Sequence, residues 1–272
     1  MPARPIITLT SDFGLADAYV AAMKGVILSL NPDAVIVDVS HAVRPQRIEQ
    51  GAFLLEAALP YFPANAIHIA VVDPGVGGER RGLALQTPAG VFVGPDNGVL
   101  SAALPEEARR AAAAGARVPL PGDSAGVELV NPRFHRLPVS PTFHGRDVFA
   151  PAAAHLSLGV ALSELGPTVA DAFVLPPFRA RREPDGSLAG RVVHVDGFGN
   201  LITDVRAEDL PSAQVTVEVR GRPIAGLRKA YAEATGLTAL VGSAGFLEIA
   251  LAGGSAAAET GADIGEPVTV RA

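Results

Sequence analysis

The sequence contains no cysteine. This absence excludes disulfide bridges, thiolate metal sites and cysteine nucleophiles together. Six histidines remain as candidates for proton transfer and hydrogen bonding near neutral pH. Any catalytic chemistry therefore rests on histidine, carboxylates, arginine and water.

Long runs of one residue character are also missing. Apolar runs such as residues 66–72 are of strand length, well short of the roughly 20 residues that span a bilayer. No signal-peptide pattern opens the sequence, and the 22 basic residues are scattered through a chain of formal net charge -6. We therefore expect a cytoplasmic protein with a small polar ligand, and neither nucleic acid nor membrane as its main partner.

The first half of the 272 residues alternates short β-rich apolar runs with longer helical patterns. This alternation is typical of an α/β domain with a mainly parallel sheet flanked by helices. The predicted strands are residues 5–10, 34–39 and 66–72, and the predicted helices are residues 17–30, 46–59 and 147–158. A hairpin is predicted from strands 82–86 and 91–93, joined by the short turn TPAG at residues 87–90.

The pattern changes after residues 176–190, PPFRARREPDGSLAG. Its prolines, charges and glycine turn are typical of a domain boundary. Short β-type segments separated by turn residues follow, which indicates a smaller antiparallel barrel or sandwich. We predict an N-terminal α/β domain over residues 1–178, a linker over 179–189 and a C-terminal β domain over 190–272.

Two aspartates follow predicted strands of the N-terminal sheet. Asp12 lies in TSDFG and Asp73 in VVDPGVGGERR, residues 71–81. The second stretch contains neither GxxxxGK[ST] nor a complete GxGxxG, so a phosphate-binding loop is disfavoured. Each aspartate alone fits a turn or a helix cap. Two aspartates at the carboxyl ends of parallel strands favour a ligand site. In such a site one carboxylate binds a ribose diol, and the other accepts a proton or binds a water molecule.

A third motif, FHGRD at residues 143–147, precedes a predicted helix. His144 is followed by a glycine that allows close backbone approach, which suits acid–base or hydrogen-bonding work. The alternative is a purely structural histidine. Arg146 and Asp147 are expected to pair at the start of the helix.

Two further motifs lie in the predicted C-terminal domain. DGFGN offers Asp196, Phe198 and Asn200 to a ligand, with the amide able to donate to and accept from a heterocycle, or it forms a plain β-turn. GSAGFLEIA places Ser243 in a glycine turn and Glu248 within an apolar strand. Glu248 either faces solvent or binds a ligand.

These motifs occur together in a familiar order and spacing. The sequence resembles the S-adenosyl-L-methionine hydroxide adenosyltransferases, relatives of the S-adenosylmethionine-dependent fluorinase and chlorinase. The motifs that carry the resemblance are TSDFG, VVDPGVGGERR, GPDNG, FHGRD, DGFGN and GSAGFLEIA. The resemblance covers essentially the whole chain. It implies an α/β domain, a β-barrel domain, and a homotrimer with active sites between neighbouring protomers.

The resemblance also implies a reaction. Hydroxide from water displaces methionine at the ribose C5', and adenosine forms without a metal or another cofactor. The positions that match the family's water-activating set are Asp73, Arg80 and His144. Positions that match substrate contacts are Asp12 on the ribose hydroxyls, Asn200 on adenine, Asp196 and Ser243 around methionine, Phe143 and Phe198 as pocket walls, and Glu248 in the strand that closes the purine site. Arg81 is expected to be solvated.

Two other functions fit part of the same pattern. A halogenase is disfavoured because the halogenating relatives replace the aspartate and histidine of the water-activating set, and the fluorinase carries a long insertion where this chain has residues 87–90. A carboxylate at Asp73 would also repel halide. A protein that binds S-adenosylmethionine or adenosine without turnover is the second alternative. It would not need Asp73, Arg80 and His144 together.

Overall fold

The computed structural model describes residues 4–112, 115–211 and 214–272. The chain divides into two compact units, Met1–Pro177 and Phe178–Ala272. Within the described residues, no helix has the length and apolar character needed to cross a bilayer. Each unit has its own buried core.

The first unit contains a six-stranded sheet with the order β2-β1-β3-β5-β4-β7. The strands of this unit are β1 (Ile6–Ser11), β2 (Val35–Ser40), β3 (Ile67–Val71), β4 (Gly82–Thr87), β5 (Gly90–Pro95), β6 (Ala116–Pro119), β7 (Ala125–Glu128) and β8 (Asp171–Val174). β2, β1, β3 and β5 run parallel to one another, whereas β4 is antiparallel to β5 and β7. β6 and β8 form a separate antiparallel pair. The prediction of a mainly parallel sheet is confirmed.

Helices cover both faces of this sheet. They are α1 (Tyr19–Leu30), α2 (Ile48–Ala58), α3 (Glu106–Arg109) and α4 (Ala150–Ser157). One core layer joins Ile7 and Leu9 of β1 to Met23 and Ile27 of α1 and to the alanines of α4. The other joins the opposite face of the sheet to α2. Successive side chains of a strand point to opposite faces of the sheet, so a continuous apolar strand contributes side chains to both core layers.

The predicted elements are present with shifted ends. α1 and α2 begin two residues later than predicted, and the tight hairpin of β4 and β5 is confirmed. The helix predicted over 147–158 is instead a π-helical turn, Gly145–Phe149, followed by α4. Pro151 has no N–H to give the carbonyl of Asp147, and that carbonyl accepts the N–H of Arg136 at 2.9 Å. The proline therefore frees the turn that follows His144 from regular helix geometry.

The second unit is a strongly curved sheet of nine strands, which fits the coarser prediction of a barrel-like β domain. Its strands are β9 (Arg181–Arg182), β10 (Leu188–Val195), β11 (Leu201–Arg206), β12 (Thr216–Val219), β13 (Arg222–Ala225), β14 (Leu227–Arg228), β15 (Leu237–Val241), β16 (Phe246–Leu251) and β17 (Pro267–Arg271), with one short helix, α5 (Ala256–Thr260). The order is β13-β12-β17-β10-β11-β16-β15-β14, with β9 beside β10. β13 approaches β15, so the sheet nearly closes on itself. β9 and the first residues of β10 pair within the segment predicted as a linker.

Candidate active site

Asp12 and Asp73 lie at the same edge of the parallel sheet. The register of β1 and β3 pairs Ser11 with Val71, so the two strands end side by side at the same edge of the sheet. Asp12 follows directly, and its Oδ2 accepts the backbone N–H of Gln46 at 2.8 Å. Gln46 has a φ of 66°, a left-handed conformation that aims its N–H at this carboxylate. One carboxylate oxygen is thus held by the backbone.

Asp73, Arg80 and His144 form one hydrogen-bonded set. Arg80 Nε donates to Asp73 Oδ1 and Oδ2 at 3.0 and 3.1 Å, and its Nη2 donates to Asp73 Oδ2. The same Nη2 lies 2.8 Å from His144 Nδ1. The side chains of Asp73 and Arg80 are 5% and 13% exposed. Arg80 does return to the strand-end aspartate, and it joins the aspartate to the histidine.

The contact with Arg80 fixes the proton on His144. A guanidinium group only donates, so Nδ1 accepts and the proton of the neutral ring lies on Nε2. Burial and the positive charge of Arg80 lower the pKa of His144, against the smaller opposing effect of Asp73. The imidazole is therefore neutral at pH 7 and offers Nε2–H as a hydrogen-bond donor.

A tight glycine loop brings this set together. Gly77 has a φ of 76°, and a Cβ there would lie 2.3 Å from the carbonyl oxygen of Pro141, just before FHGRD. Only glycine allows the two segments to approach this closely. Asn97 of GPDNG holds the loop's start, because its Nδ2 donates to the carbonyl of Val72 at 2.8 Å. GPDNG thus supports the position of Asp73.

Arg81 is not solvated, and that prediction is wrong. Its Nε donates to Asp96 Oδ2 at 2.8 Å and its Nη2 to Asp171 Oδ1 at 2.7 Å. Arg117 shares both carboxylates. Asp96 also accepts the N–H of Phe173 at 2.7 Å. The network anchors β8 to the loop, and the aspartate of GPDNG was the available signal for it.

A cavity of about 400 Å³ opens beside the hydrogen-bonded set of Asp73, Arg80 and His144. It is lined by Asp12, Asp73, Phe143 and His144, together with two aromatic residues that the sequence did not single out, Phe13 and Tyr19. Phe13, Tyr19 and Phe143 make mutual ring contacts with centroids 5.2 to 5.8 Å apart. Arg80 lies behind Asp73, with its guanidinium 5.5 Å from the ring centroid of Phe149, and does not line the cavity.

A hydrogen-bonded network supports the loop that carries Asp12. Ser11 Oγ lies 2.7 Å from His41 Nδ1, and His41 Nε2 lies 3.0 Å from Asp38 Oδ1. Lys24 Nζ contacts the other oxygen of Asp38 at 2.6 Å. Ser11 is only 2% exposed, so it is no accessible nucleophile despite the Ser-His-Asp order. This network fixes the backbone just before Asp12.

The second unit contains the other predicted group. In the turn between β10 and β11, Asp196 Oδ1 accepts the N–H of Phe198 and of Asn200, both at 2.9 Å. Asp196 Oδ2 accepts from Asn200 Nδ2 at 2.9 Å. The β-turn is therefore present, and it presents an exposed aromatic ring, since Phe198 is 82% exposed. The carbonyl of the Asn200 amide has no part in these contacts.

Glu248 does not face solvent. It is buried on the central strand β16 and lines a cavity of about 640 Å³ with Asp196, Phe198, Asn200 and Ser243. Burial raises the pKa of Glu248, the charge of Asp196 adds to this, and the hydrogen bond from Tyr231 lowers it. The sequence did not single out Tyr231, since its segment carries no motif. Its own pKa is raised by burial and by Glu248.

In the described part of the chain, no three histidine or carboxylate side chains are grouped as ligands for a metal ion.

Sequence models of one family match both halves of the chain. The N-terminal domain of SAM hydroxide adenosyltransferase matches residues 7–166, and its C-terminal domain matches residues 190–269. The two matches cover most of both compact units.

Individual relatives agree with these matches. A protein of Salinispora arenicola named (R)-S-adenosyl-L-methionine hydrolase is 42% identical to this chain over 94% of both chains. A protein of the same name from Thermus thermophilus is 40% identical over 97% of this chain and 98% of its own. A protein named fluorinase from Actinopolyspora mzabensis is 28% identical over 78% of this chain and 75% of its own. The crystal structure of an uncharacterized conserved protein from Thermotoga maritima superposes with a TM-score of 0.85 at 32% identity, covering 98% of this chain and all of that one. The chain belongs to the SAM hydroxide adenosyltransferase family.

Proposed function

We propose that this chain hydrolyses S-adenosyl-L-methionine to adenosine and L-methionine. The observation that carries the proposal is the hydrogen-bonded set of Asp73, Arg80 and His144 at the edge of a cavity. A carboxylate and a neutral imidazole donor beside one cavity suit the positioning and deprotonation of a water molecule. Relatives at 40–42% identity carry the name of this activity.

The proposed step is a single displacement. The water oxygen forms a bond to C5' of the ribose while the C5'–sulfur bond breaks and its electron pair remains on sulfur. The positively charged sulfonium becomes the neutral thioether of methionine. One proton leaves the attacking water for Asp73 and then passes to solvent, which balances the reaction. Because the leaving group is already cationic, the step needs no metal and no organic cofactor.

The division of labour follows from the hydrogen bonds. Asp73 lines the cavity and accepts from the water, and His144 donates its Nε2–H to the water oxygen. Arg80 acts through both of them as a positioning residue, because a single Nη2 reaches Asp73 and His144. We assign Asp12 to the ribose diol, with Oδ1 open to the hydroxyls while Gln46 holds Oδ2. Phe143 provides an apolar wall.

The second unit is assigned to recognition of the rest of the substrate. Phe198 stacks on adenine, the free amide carbonyl of Asn200 and the carboxylate of Glu248 accept from its amino group, and Asp196 and Ser243 contact the methionine portion. Their support is the shared cavity of about 640 Å³ and the exposure of the Phe198 ring. The ring of Phe198 lines this cavity and is 82% exposed, so it is accessible to a bound base.

We further propose a homotrimer in which the first unit of one protomer and the second unit of its neighbour enclose the substrate. The support is the family resemblance together with a full group of site residues on each unit. A cytoplasmic location, with no nucleic-acid or membrane partner, stays a prediction from the sequence.

The names of the hydrolase relatives add a stereochemical element. The prefix L already fixes the amino-acid carbon, so (R) designates the configuration at the sulfonium sulfur. We propose that this chain also acts on the (R) epimer. A binder without turnover would not need the Arg80 bridge, and a halogenase would place a halide against the carboxylate of Asp73, at an unfavourable electrostatic cost.

The decisive experiment is incubation with each resolved sulfonium epimer in water enriched in oxygen-18. We expect the 5'-hydroxyl of adenosine to contain the label and methionine to form in equal amount, with the (R) epimer preferred. Tight binding without either product would favour the binder. Labelled 5'-hydroxyl from both epimers at equal rates would retain the hydrolase and remove the stereochemical proposal.

A further inference from the structure

A second cavity of the first unit has a different chemical character from the site already described. It has a volume of about 710 Å³ and shares no lining residue with the cavity that contains Asp73. We call it the basic cavity because its polar lining consists mainly of Arg133, His135, Arg136, Arg146 and His155. The opposite wall is the surface of α1, formed by Ala22, Gly25, Val26, Ser29 and Leu30.

The charges at the basic cavity do not cancel. No carboxylate is among the described residues that line it. Asp147, fully buried behind it, pairs with Arg146 through two contacts of 2.7 Å and with Arg136 through one longer contact of 3.3 Å. Three guanidinium groups against this one carboxylate leave two positive charges, in a chain whose formal net charge is -6.

Arg133 is the most available of these cations. Its guanidinium lies 5.6 Å from the ring centroid of Phe134, and within the described ranges it forms no ion pair. Arg133 lies close to His155, whose pKa is lowered by burial and by the charge of Arg133. The side chain of Arg136 is 49% exposed, and among the described residues its one ion pair is the 3.3 Å contact with Asp147, so it too is accessible to a ligand.

The histidines add donors and acceptors without adding charge. Burial lowers the pKa of His135, against a smaller opposing hydrogen bond to the backbone at Leu129. His155 packs edge-on against Phe134 with ring centroids 5.0 Å apart. Both rings are therefore neutral at pH 7 and line an amphipathic cleft with apolar side chains of α1 on its other side.

The positive charge and the apolar α1 wall of the basic cavity together indicate which class of ligand it can bind. The net excess of two positive charges at the basic cavity, three guanidinium groups less one carboxylate, matches the charge of a phosphate monoester, about -1.5 to -2 at pH 7, better than the single charge of a carboxylate. The α1 wall can cover an uncharged organic portion, and the volume exceeds that of a phosphate ion alone. We propose that the basic cavity binds a small phosphorylated metabolite, with its phosphate held by Arg133 and Arg136 and its organic part against α1.

The test is a direct binding measurement that does not depend on catalysis. Ribose 5-phosphate is titrated into the full-length protein by calorimetry at fixed low salt, with ribose as the neutral control and inorganic phosphate as the headgroup alone. We expect binding of ribose 5-phosphate, weaker binding of phosphate and none of ribose. In the double variant Arg133→Gln with Arg136→Gln, we expect the Kd for ribose 5-phosphate to rise at least about tenfold.

Two control variants distinguish binding in the basic cavity from nonspecific attraction to surface arginines and from binding in the active site. Arg110→Gln removes an exposed arginine of the same unit, paired with Glu106, and should leave the Kd unchanged. Asp12→Asn alters the proposed ribose contact of the active site and should also leave it unchanged. The proposal is overturned if no phosphate probe binds at millimolar concentration, if Arg110→Gln weakens binding equally, or if Asp12→Asn abolishes it. A double variant that instead changes the sedimentation of the assembly, with no phosphate binding in the parent protein, would identify the cavity as a contact between copies.

Discussion

The two groups of proposed site residues, one on each unit, are built in opposite ways. In the first unit the charged side chains are tied to one another: Arg80 donates to both Asp73 and His144, and its side chain is only 13% exposed. In the second unit the turn at Asp196 holds its own backbone while Phe198 stands 82% exposed. One group is fixed before any substrate arrives, and the other presents an open surface.

This contrast supports the proposed division of roles, with chemistry in the first unit and substrate recognition in the second. Preorganised charges and dipoles stabilise a transition state because they need no rearrangement during reaction. The exposed ring of Phe198, in contrast, gains its contacts only when a ligand binds. Substitutions in the first group should therefore lower kcat, whereas those in the second should raise KM.

The largest expected effect comes from Asp73→Asn. The amide cannot take a proton from water, and it disturbs the bidentate contact with Arg80. We expect kcat to fall by about 10³, within the range for general acid–base groups, with KM changed less than threefold. Steady-state kinetics measures both. Glu79→Gln, an exposed neutralisation in the same loop, is the matched control and should keep wild-type kcat. Equal kcat for Asp73→Asn and the parent would refute the water-activating role.

Adjacent arginines allow a second comparison. Arg80→Lys keeps the charge but cannot donate to Asp73 and His144 through a planar fork, so we expect kcat to fall by about 10² with Tm nearly unchanged. Arg81→Lys weakens the network with Asp96 and Asp171, so we expect Tm to fall by several degrees, with a smaller change in kcat. Kinetics and thermal unfolding of the pair check this. If both substitutions lower kcat and Tm alike, Arg80 has no separate positioning role.

Phe198→Ala tests the open surface of the second unit. Stacking of a base on an aromatic side chain contributes about 1–3 kcal/mol, so we expect KM to rise about tenfold or more while kcat changes little. The ring is exposed, and its loss should not lower Tm. Tyr61→Ala, a similarly exposed aromatic of the first unit that is 74% exposed and lines neither site cavity, is the control. A fall in kcat with constant KM would show that Phe198 contributes to the chemical step and not to substrate binding.

Much of this arrangement was predictable because periodicity and chain direction are local signals. Apolar strands followed by aspartates at the ends of parallel neighbours predicted that Asp12 and Asp73 share an edge, and the register of Ser11 with Val71 agrees. The family motifs added His144 and Arg80. The same signals indicated that short β segments make up the second unit, as its nine strands show.

The features that the sequence did not predict depend on contacts between residues that are distant along the chain. Arg81 looked like a solvated neighbour of Arg80, yet its partners Asp96 and Asp171 are 15 and 90 residues away along the chain. Tyr231 reaches Glu248 across 17 residues from a segment without periodicity. The π-helical turn at Gly145–Phe149 depends on where Pro151 falls relative to the carbonyl of Asp147. No local pattern encodes such pairings.

The smallest expected effect, and the finest test of the contrast, comes from Tyr231→Phe. The hydroxyl donates to Glu248 and lowers a pKa that burial and Asp196 raise, so its loss should raise that pKa further. If ionised Glu248 accepts from the adenine amino group, kcat/KM should rise with pH through this pKa, and the midpoint should move to higher pH in the variant. At pH 7 kcat/KM of the variant should be about threefold lower, as expected for one hydrogen bond, through a higher KM.

The pH profile of kcat/KM measures the shift of the midpoint, with Tyr61→Phe as the control. An unchanged midpoint would show that Glu248 does not act as an ionised acceptor, and an equal change in kcat would remove the division between a unit for chemistry and a unit for recognition.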